Sequence, residues 1–164
     1  MDNFKELYRI HSKELFNYLL YLTNDYSLAE ELLQETFFQA FTAIHRFKGK
    51  SKVRTWLYQI AKYVYYNHQK KNRFQKVSID DNEEKLVSHI TPDMILMEKE
   101  DNELLYSSLK QLKEPYKQVI ILRSYSELSF KEIGEIFSKS ENWARVTFHR
   151  GKIQLLQLLK KGGM

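Results

Sequence analysis

The chain has 164 residues, 43% of them hydrophobic, with a net charge of +5, only 2 Pro and 5 Gly, and no Cys. That length buries one moderate core or two small ones without staples, and the few breakers favour long helices over a turn-dense sandwich or barrel. Disulfides, thiolate metal sites and cysteine nucleophiles are excluded; the start MDNFKELYRIHSKE places charges where a secretory signal would need its apolar stretch, no uncharged run approaches the roughly 20 residues of a membrane span, and a soluble, untargeted, all-α, cytoplasmic protein is expected.

A first helix reads from Phe4 to about Leu22, because Phe4, Leu7, Tyr8, His11, Leu15, Tyr18, Leu19 and Leu22 recur at intervals of three and four and form a core stripe. The second starts at Ser27, where Ser-Leu-Ala-Glu has the form of a capping box closed by Glu30. Its inner stripe is Ala29, Leu33, Thr36, Phe37, Ala40 and Ile44. The opposite side carries Glu31, Gln34, Glu35 and Phe38, an acidic strip with one large aromatic. Such a strip is as often a plain solvated face as a docking edge for a basic partner helix with Phe38 as its apolar anchor.

After the basic turn FKGKSKV, a third helix is expected from about Arg54 to Arg73. Leu57, Ile60, Ala61, Val64 and His68 fall on its buried side, and Thr55, Gln59, Lys62, Tyr66, Lys70 and Arg73 on the other. Residues 45–76 contain ten Lys or Arg and no acid, interleaved with Phe47, Trp56, Tyr58, Tyr63, Tyr65, Tyr66 and Phe74. Rings among cations suit single-stranded nucleic acid, since each stacked base contributes about 1–3 kcal/mol while the cations hold the backbone. Some of these rings, Trp56 first, could equally be core.

Residues 75–90 lose the helical period and turn acidic, which marks a linker between an N-terminal domain, 1–74, and a C-terminal domain, 91–164. Thr91-Pro92 opens the next helix, carried by Ile95, Leu96, Leu105 and Leu109 to about Leu112. Pro115 opens another through Val119, Ile120 and Leu122.

The last two helices are the most specific pattern in the chain. Ser129 and Glu132 form a capping box, with Leu128 and Ile133 placed as its hydrophobic staple. That helix runs to Phe137, a Ser138-Lys139 turn follows, and Ser140 caps a long basic helix. Two helices joined this tightly, the second basic, have the form of a helix-turn-helix. At about 100° per residue, Ala144, Phe148, Gly151 and Leu155 share the buried arc of the second helix. Asn142, Val146, His149 and Ile153 lie opposite, flanked by Arg145 and Arg150. Arg145 suits guanine edges, Val146 a thymine methyl, and Arg150 and Lys152 phosphates, with Lys131 on the preceding helix joining the set that faces duplex DNA.

Catalysis is not expected. His11, His45, His68, His89 and His149 are scattered without metal-ligand spacing, no Gly-rich phosphate loop or Ser elbow occurs, and the adjacent Glu30 and Glu31 point in different directions. No cofactor, metal or small-molecule substrate is implied. A free-standing, dimeric helix-turn-helix repressor or activator is the main alternative, but a dimerisation face has no need of ten cations.

The blocks AEELLQETFFQAF, FKGKSKVRTWLYQIAK, LKEPYKQVIILRSYSELSFKEIGEIF and SENWARVTFHRGK, in this order, resemble the extracytoplasmic-function sigma factors of bacterial RNA polymerase, in the sigma-70 superfamily. The resemblance covers nearly the whole chain. It implies a first domain that docks on the clamp of core RNA polymerase and melts promoter DNA, and a second that reads the more distant promoter element as duplex. By position, Glu31, Gln34, Glu35 and Phe38 correspond to the clamp-facing edge. The loop Phe47, Lys48, Gly49, Lys50 and Ser51 corresponds to the pocket for a base flipped from the non-template strand. Arg54, Trp56, Gln59, Lys62, Tyr63, Tyr66, Asn67 and Lys70 correspond to the melting surface, and Arg145, Val146, His149 and Arg150 to the duplex readers. The resemblance further implies an anti-sigma partner, often membrane-anchored, and a stress- or signal-responsive regulon. The chain departs from the family at Tyr63, where Asn is frequent, at Ser138, where the turn glycine is usual, and at Trp143, where Thr is common.

Overall fold

The structure is a computed structural model and describes residues 2–49, 52–78 and 99–162. Every regular element among the described residues is helical: α1 (Asp2–Thr23), α2 (Tyr26–Ala43), a short 3-10 turn (Ile44–Arg46), α3 (Val53–Ser78), α4 (Lys99–Gln111), α5 (Tyr116–Ser124), α6 (Phe130–Phe137) and α7 (Glu141–Gly162). The chain divides into two compact units, with the division inside residues 79–98. The expected linker therefore starts later than its acidic composition suggests, since α3 continues through Ser78 and makes 75–78 helical. The rest of that linker, the Thr91-Pro92 helix start, Ile95 and Leu96 lie outside the described residues.

In the first unit α1 packs on α2, and α3 on both. Leu15, Tyr18, Leu19 and Leu22 of α1 meet Ala29, Leu32, Leu33, Phe37 and Ala40 of α2 and Leu57, Tyr58, Ala61, Val64 and Tyr65 of α3 in one buried core. The Tyr18 and Tyr58 rings meet edge to face at 5.2 Å. Removing that apolar surface from water is the main force closing the unit. Because α3 contacts two helices rather than one, its buried arc is wide, and Thr55, expected on its outer side, is fully buried. Tyr8, expected in the core, is 46% exposed while keeping an edge contact with Phe37 at 4.8 Å.

The start of α2 is set by Asp25 rather than Ser27. The Asp25 carboxylate accepts from the Leu28 amide at 3.1 Å, so Ser27 lies within the first turn. Asp is as good a cap as Ser and its negative charge also complements the helix N-terminus.

In the second unit α7 is the spine: α4, α5 and α6 all pack on it. Leu109, Leu112, Val119, Ile121, Leu122, Leu128, Ile133, Ile136 and Ala144 form the core. The capping box at α6 is present in both directions: the Ser129 hydroxyl accepts from the Glu132 amide at 3.1 Å, and the Glu132 carboxylate accepts from the Ser129 amide at 2.9 Å. Leu128 and Ile133, the expected staple, are both fully buried. Glycine is required at position 134, where the obstacle is backbone, and fits closely at position 151. A Cβ on Gly134 would lie 2.7 Å from the Ser140 carbonyl oxygen, and one on Gly151 would lie 3.1 Å from Tyr116 Cβ. These contacts let α6 close on the turn and α5 on α7.

Candidate nucleic-acid interface

The outward side of α2 is what its inner stripe leaves over. With Ala29, Leu32, Leu33, Thr36, Phe37 and Ala40 buried, helical geometry turns Glu31, Gln34, Glu35 and Phe38 to solvent, and Phe38 is 64% exposed. Glu35 accepts from Gln39 Nε2 at 2.8 Å. Phe41, not singled out from the sequence, is also exposed, although Phe4 meets it edge to face at 5.1 Å. Exposed rings beside carboxylates form a surface fit for a basic, partly apolar partner.

The acid-free block does not form one continuous sheet of rings and cations. Tyr63, Tyr66, Asn67 and Lys70 come together with Gln69 and Arg73 around an open groove of about 330 Å³. Gln69 was not expected there; it donates to the Tyr65 hydroxyl at 2.6 Å. Lys62 Nζ stands 5.6 Å from the Tyr66 ring centroid, within cation-π range. Tyr63 is 58% exposed and Asn67 is exposed, whereas Gln59 and Lys62 are half-buried. Tyr58 and Tyr65, counted from the sequence among the interleaved rings, belong to the core instead.

Nearer the start of α3, the Phe47 and Trp56 rings pack tilted against each other, with centroids 4.9 Å apart, and fasten the basic loop to the helix. Lys48 and Gly49 are exposed, and Gly49 has φ +73, a left-handed conformation natural to glycine. Lys50 and Ser51 lie outside the described residues.

Arg54 is committed inside the unit. Its Nε donates to Glu14 Oε1 at 2.9 Å, the Tyr58 hydroxyl donates to the same oxygen at 2.9 Å, and His11 Nδ1 lies 3.0 Å from Oε2. Burial acts to raise the Glu14 pKa, but the bonds from His11, Arg54 and Tyr58 outweigh it and hold the carboxyl below its ordinary value. Arg54 thereby ties α3 to α1, a task that periodicity alone does not reveal.

On α7 the outward row is as the helical period predicts. Asn142, Arg145, Val146, His149, Arg150 and Lys152 are all exposed, as is Lys131 on α6, while Ala144, Gly151 and also Thr147 are buried. The row is held by the turn before it. Ser138 keeps the left-handed conformation at φ 57 and ψ 42, and its amide donates to Glu135 and Gly134 carbonyls. The Ser140 hydroxyl accepts from the Trp143 amide at 2.9 Å. Trp143 itself packs on Phe137 of α6 at 5.2 Å, so it is a wedge between the paired helices. A row of amide, guanidinium, imidazole and aliphatic groups on a rigid helix can both bond base edges and hold phosphates.

Among the described residues no cluster of three or more His, Asp or Glu could hold a metal, and no helix is long and apolar enough to cross a membrane.

Residues 7–75 match the family described as Sigma-70 region 2, and residues 102–155 match Sigma-70, region 4. The RNA polymerase sigma factor YlaC of Bacillus subtilis (strain 168) is 33% identical over 162 residues, covering 98% of this chain and 94% of its own length. The ECF RNA polymerase sigma factor SigM of the same organism is 29% identical over 160 residues, covering 96% and 95%. Among solved structures, the sigma factor RpoE, co-crystallised with the anti-sigma factor NepR from Bartonella quintana, shares the fold at TM-score 0.77 and 20% identity, covering 98% of both chains.

Proposed function

Since the chain belongs to the extracytoplasmic-function sigma factors, transcription initiation factors and not enzymes, we propose that its two units read a promoter in two physical states. The first unit docks on the clamp of core RNA polymerase through Glu31, Gln34, Glu35 and Phe38 and holds the melted strand near the start site. Tyr63, Tyr66, Asn67 and Lys70 line the groove for unpaired bases, with Gln59 and Lys62 beside it and Phe47, Lys48 and Gly49 forming the described part of the base pocket. The second unit reads the more distant element as duplex through Asn142, Arg145, Val146, His149 and Arg150, with Lys131 and Lys152 on phosphates. Within the first unit, Arg54 supports the α3 groove from behind, by tying α3 to α1 through Glu14. The cytoplasm, core polymerase and promoter DNA follow as setting and partners, and an anti-sigma factor as the agent that keeps the chain idle.

One observation carries the reading: α7 presents an exposed, basic, mixed-chemistry row directly opposite a fully buried Ala144, so the row has no core to serve. The experiment is assembly of the purified chain with core polymerase, followed by sequencing of the transcripts made. Co-elution with core in gel filtration and starts downstream of a shared upstream motif are expected. A chain that fails to co-elute, or start sites identical to those of core alone, would contradict it.

A further inference from the structure

We propose that Glu141 and Phe130 form a clamp that fixes the Arg145 guanidinium before DNA arrives, so that base discrimination by Arg145 depends on two residues that need not touch a base. The inference rests on the reading of α7 as the duplex-facing helix. Arg145 Nη2 donates to Glu141 Oε2 at 3.0 Å across one helical turn. Alone this is an ordinary surface pair, and an acid in the first turn of a helix needs no further purpose. The same guanidinium, however, stands 5.3 Å from the centroid of the Phe130 ring, which belongs to α6. One terminal group is thus held from two different helices.

The ring is itself held. Arg123 stacks on it at 4.2 Å and also donates to the Leu128 carbonyl at 3.1 Å, directly ahead of the capping box of α6. Phe148 of α7 meets the ring at 5.6 Å. Phe130 is therefore a fixed platform, joined to the most firmly specified helix start in the unit.

The consequence is preorganisation. A free arginine has many rotamers, and ordering it on a base edge costs binding free energy. Held by a carboxylate and a ring face, it has already lost most of that freedom. A guanidinium has five N–H donors, so one bond to Glu141 leaves a fork available for guanine. Without the clamp the same arginine swings to the nearest phosphate, which attracts it equally on every sequence.

The test uses the full chain assembled on core polymerase and a duplex library randomised upstream of the start site. Transcript counts give the preference at each base pair for the wild type, Arg145→Ala, Glu141→Gln and Phe130→Leu. Arg145→Ala identifies the base pair that Arg145 reads. At that pair alone, Glu141→Gln and Phe130→Leu are each expected to lower the preference by about two- to tenfold, the size of ordering one long side chain. Removing the Glu141 charge also raises affinity for all DNA, but that factor cancels in a ratio between sequences. If Phe130→Leu fails to fold, Glu141→Gln decides, because an exposed carboxylate is not needed for the core. Unchanged preference in Glu141→Gln, beside a flattened position in Arg145→Ala, overturns the clamp and leaves the duplex reading standing. If Arg145→Ala flattens no position, the duplex role of Arg145 and the clamp fall together.

Discussion

Replacing Glu14 by Gln should destabilise the first unit by about 2 kcal/mol, because the Glu14 side chain and its Arg54 partner, 28% and 32% exposed, lie between a surface pair, about 0–1 kcal/mol, and a buried one, about 3–5 kcal/mol on losing a partner. For a domain of 60–100 residues that corresponds to a fall of roughly 8–16 °C in melting temperature. The chain offers a clean assay, since it has 2 Trp, Trp56 in the first unit and Trp143 in the second. In a Trp143→Phe background, Trp56 fluorescence during urea unfolding reports the first unit alone. The effect also has a signed pH dependence. A carboxyl whose folded pKa is lowered from 4.5 contributes stability that is fully present above that ordinary value and is lost as the pH falls through the lower, folded one. The gap between wild type and Glu14→Gln should therefore be flat above about pH 5.5 and should close as the pH falls below about 4.5. A gap under about 0.5 kcal/mol at neutral pH, or one that persists unchanged on acidification, would refute the claim that this carboxylate binds α3 to α1.

Phe38→Ala should leave the fold intact, with a stability change within about 0.5 kcal/mol, yet weaken binding to core polymerase about tenfold or more, as loss of an anchor does; titration of labelled core checks the second and a melt the first. Ser138→Gly should stabilise the second unit by about 0.5–1 kcal/mol, because relief of about 1–2 kcal/mol of left-handed strain exceeds the extra entropy that glycine loses on folding. A lower melting temperature for that variant would show that the turn stores no such strain. Gly134→Ala should cost about 1–3 kcal/mol despite the better helix propensity of alanine, since its Cβ would meet backbone atoms that cannot step aside; urea unfolding followed by Trp143 measures it.

The features legible in the sequence are those that depend on short-range rules. The outward faces of α2 and α7 follow from helical period alone, and both emerge with the residues expected on them. The Ser129 and Glu132 box spans four residues and is present in both directions. The misplaced features depend on distance in the chain. Asp25 and Ser27 both suit an N-cap, and only the path of the chain out of α1 selects Asp25. Counting rings and cations over residues 45–76 treats α3 as one-sided, whereas contact with both α1 and α2 buries Thr55, Tyr58 and Tyr65. Arg54 reads as one more basic residue until Glu14, forty residues earlier, is brought to its side. Trp143 is explained only once Phe137 lies against it.

The measurement that bears most directly on the two-state reading of a promoter is start-site mapping of transcripts made by core polymerase plus this chain from a library randomised upstream. Two separated motifs that disappear when the chain is omitted are predicted, the distal one altered by Arg145→Ala and the proximal one by Asn67→Ala or Tyr63→Ala. A single palindrome, bound by the chain without polymerase and unaffected by changes in the α3 groove, would contradict the account and favour a free-standing duplex regulator.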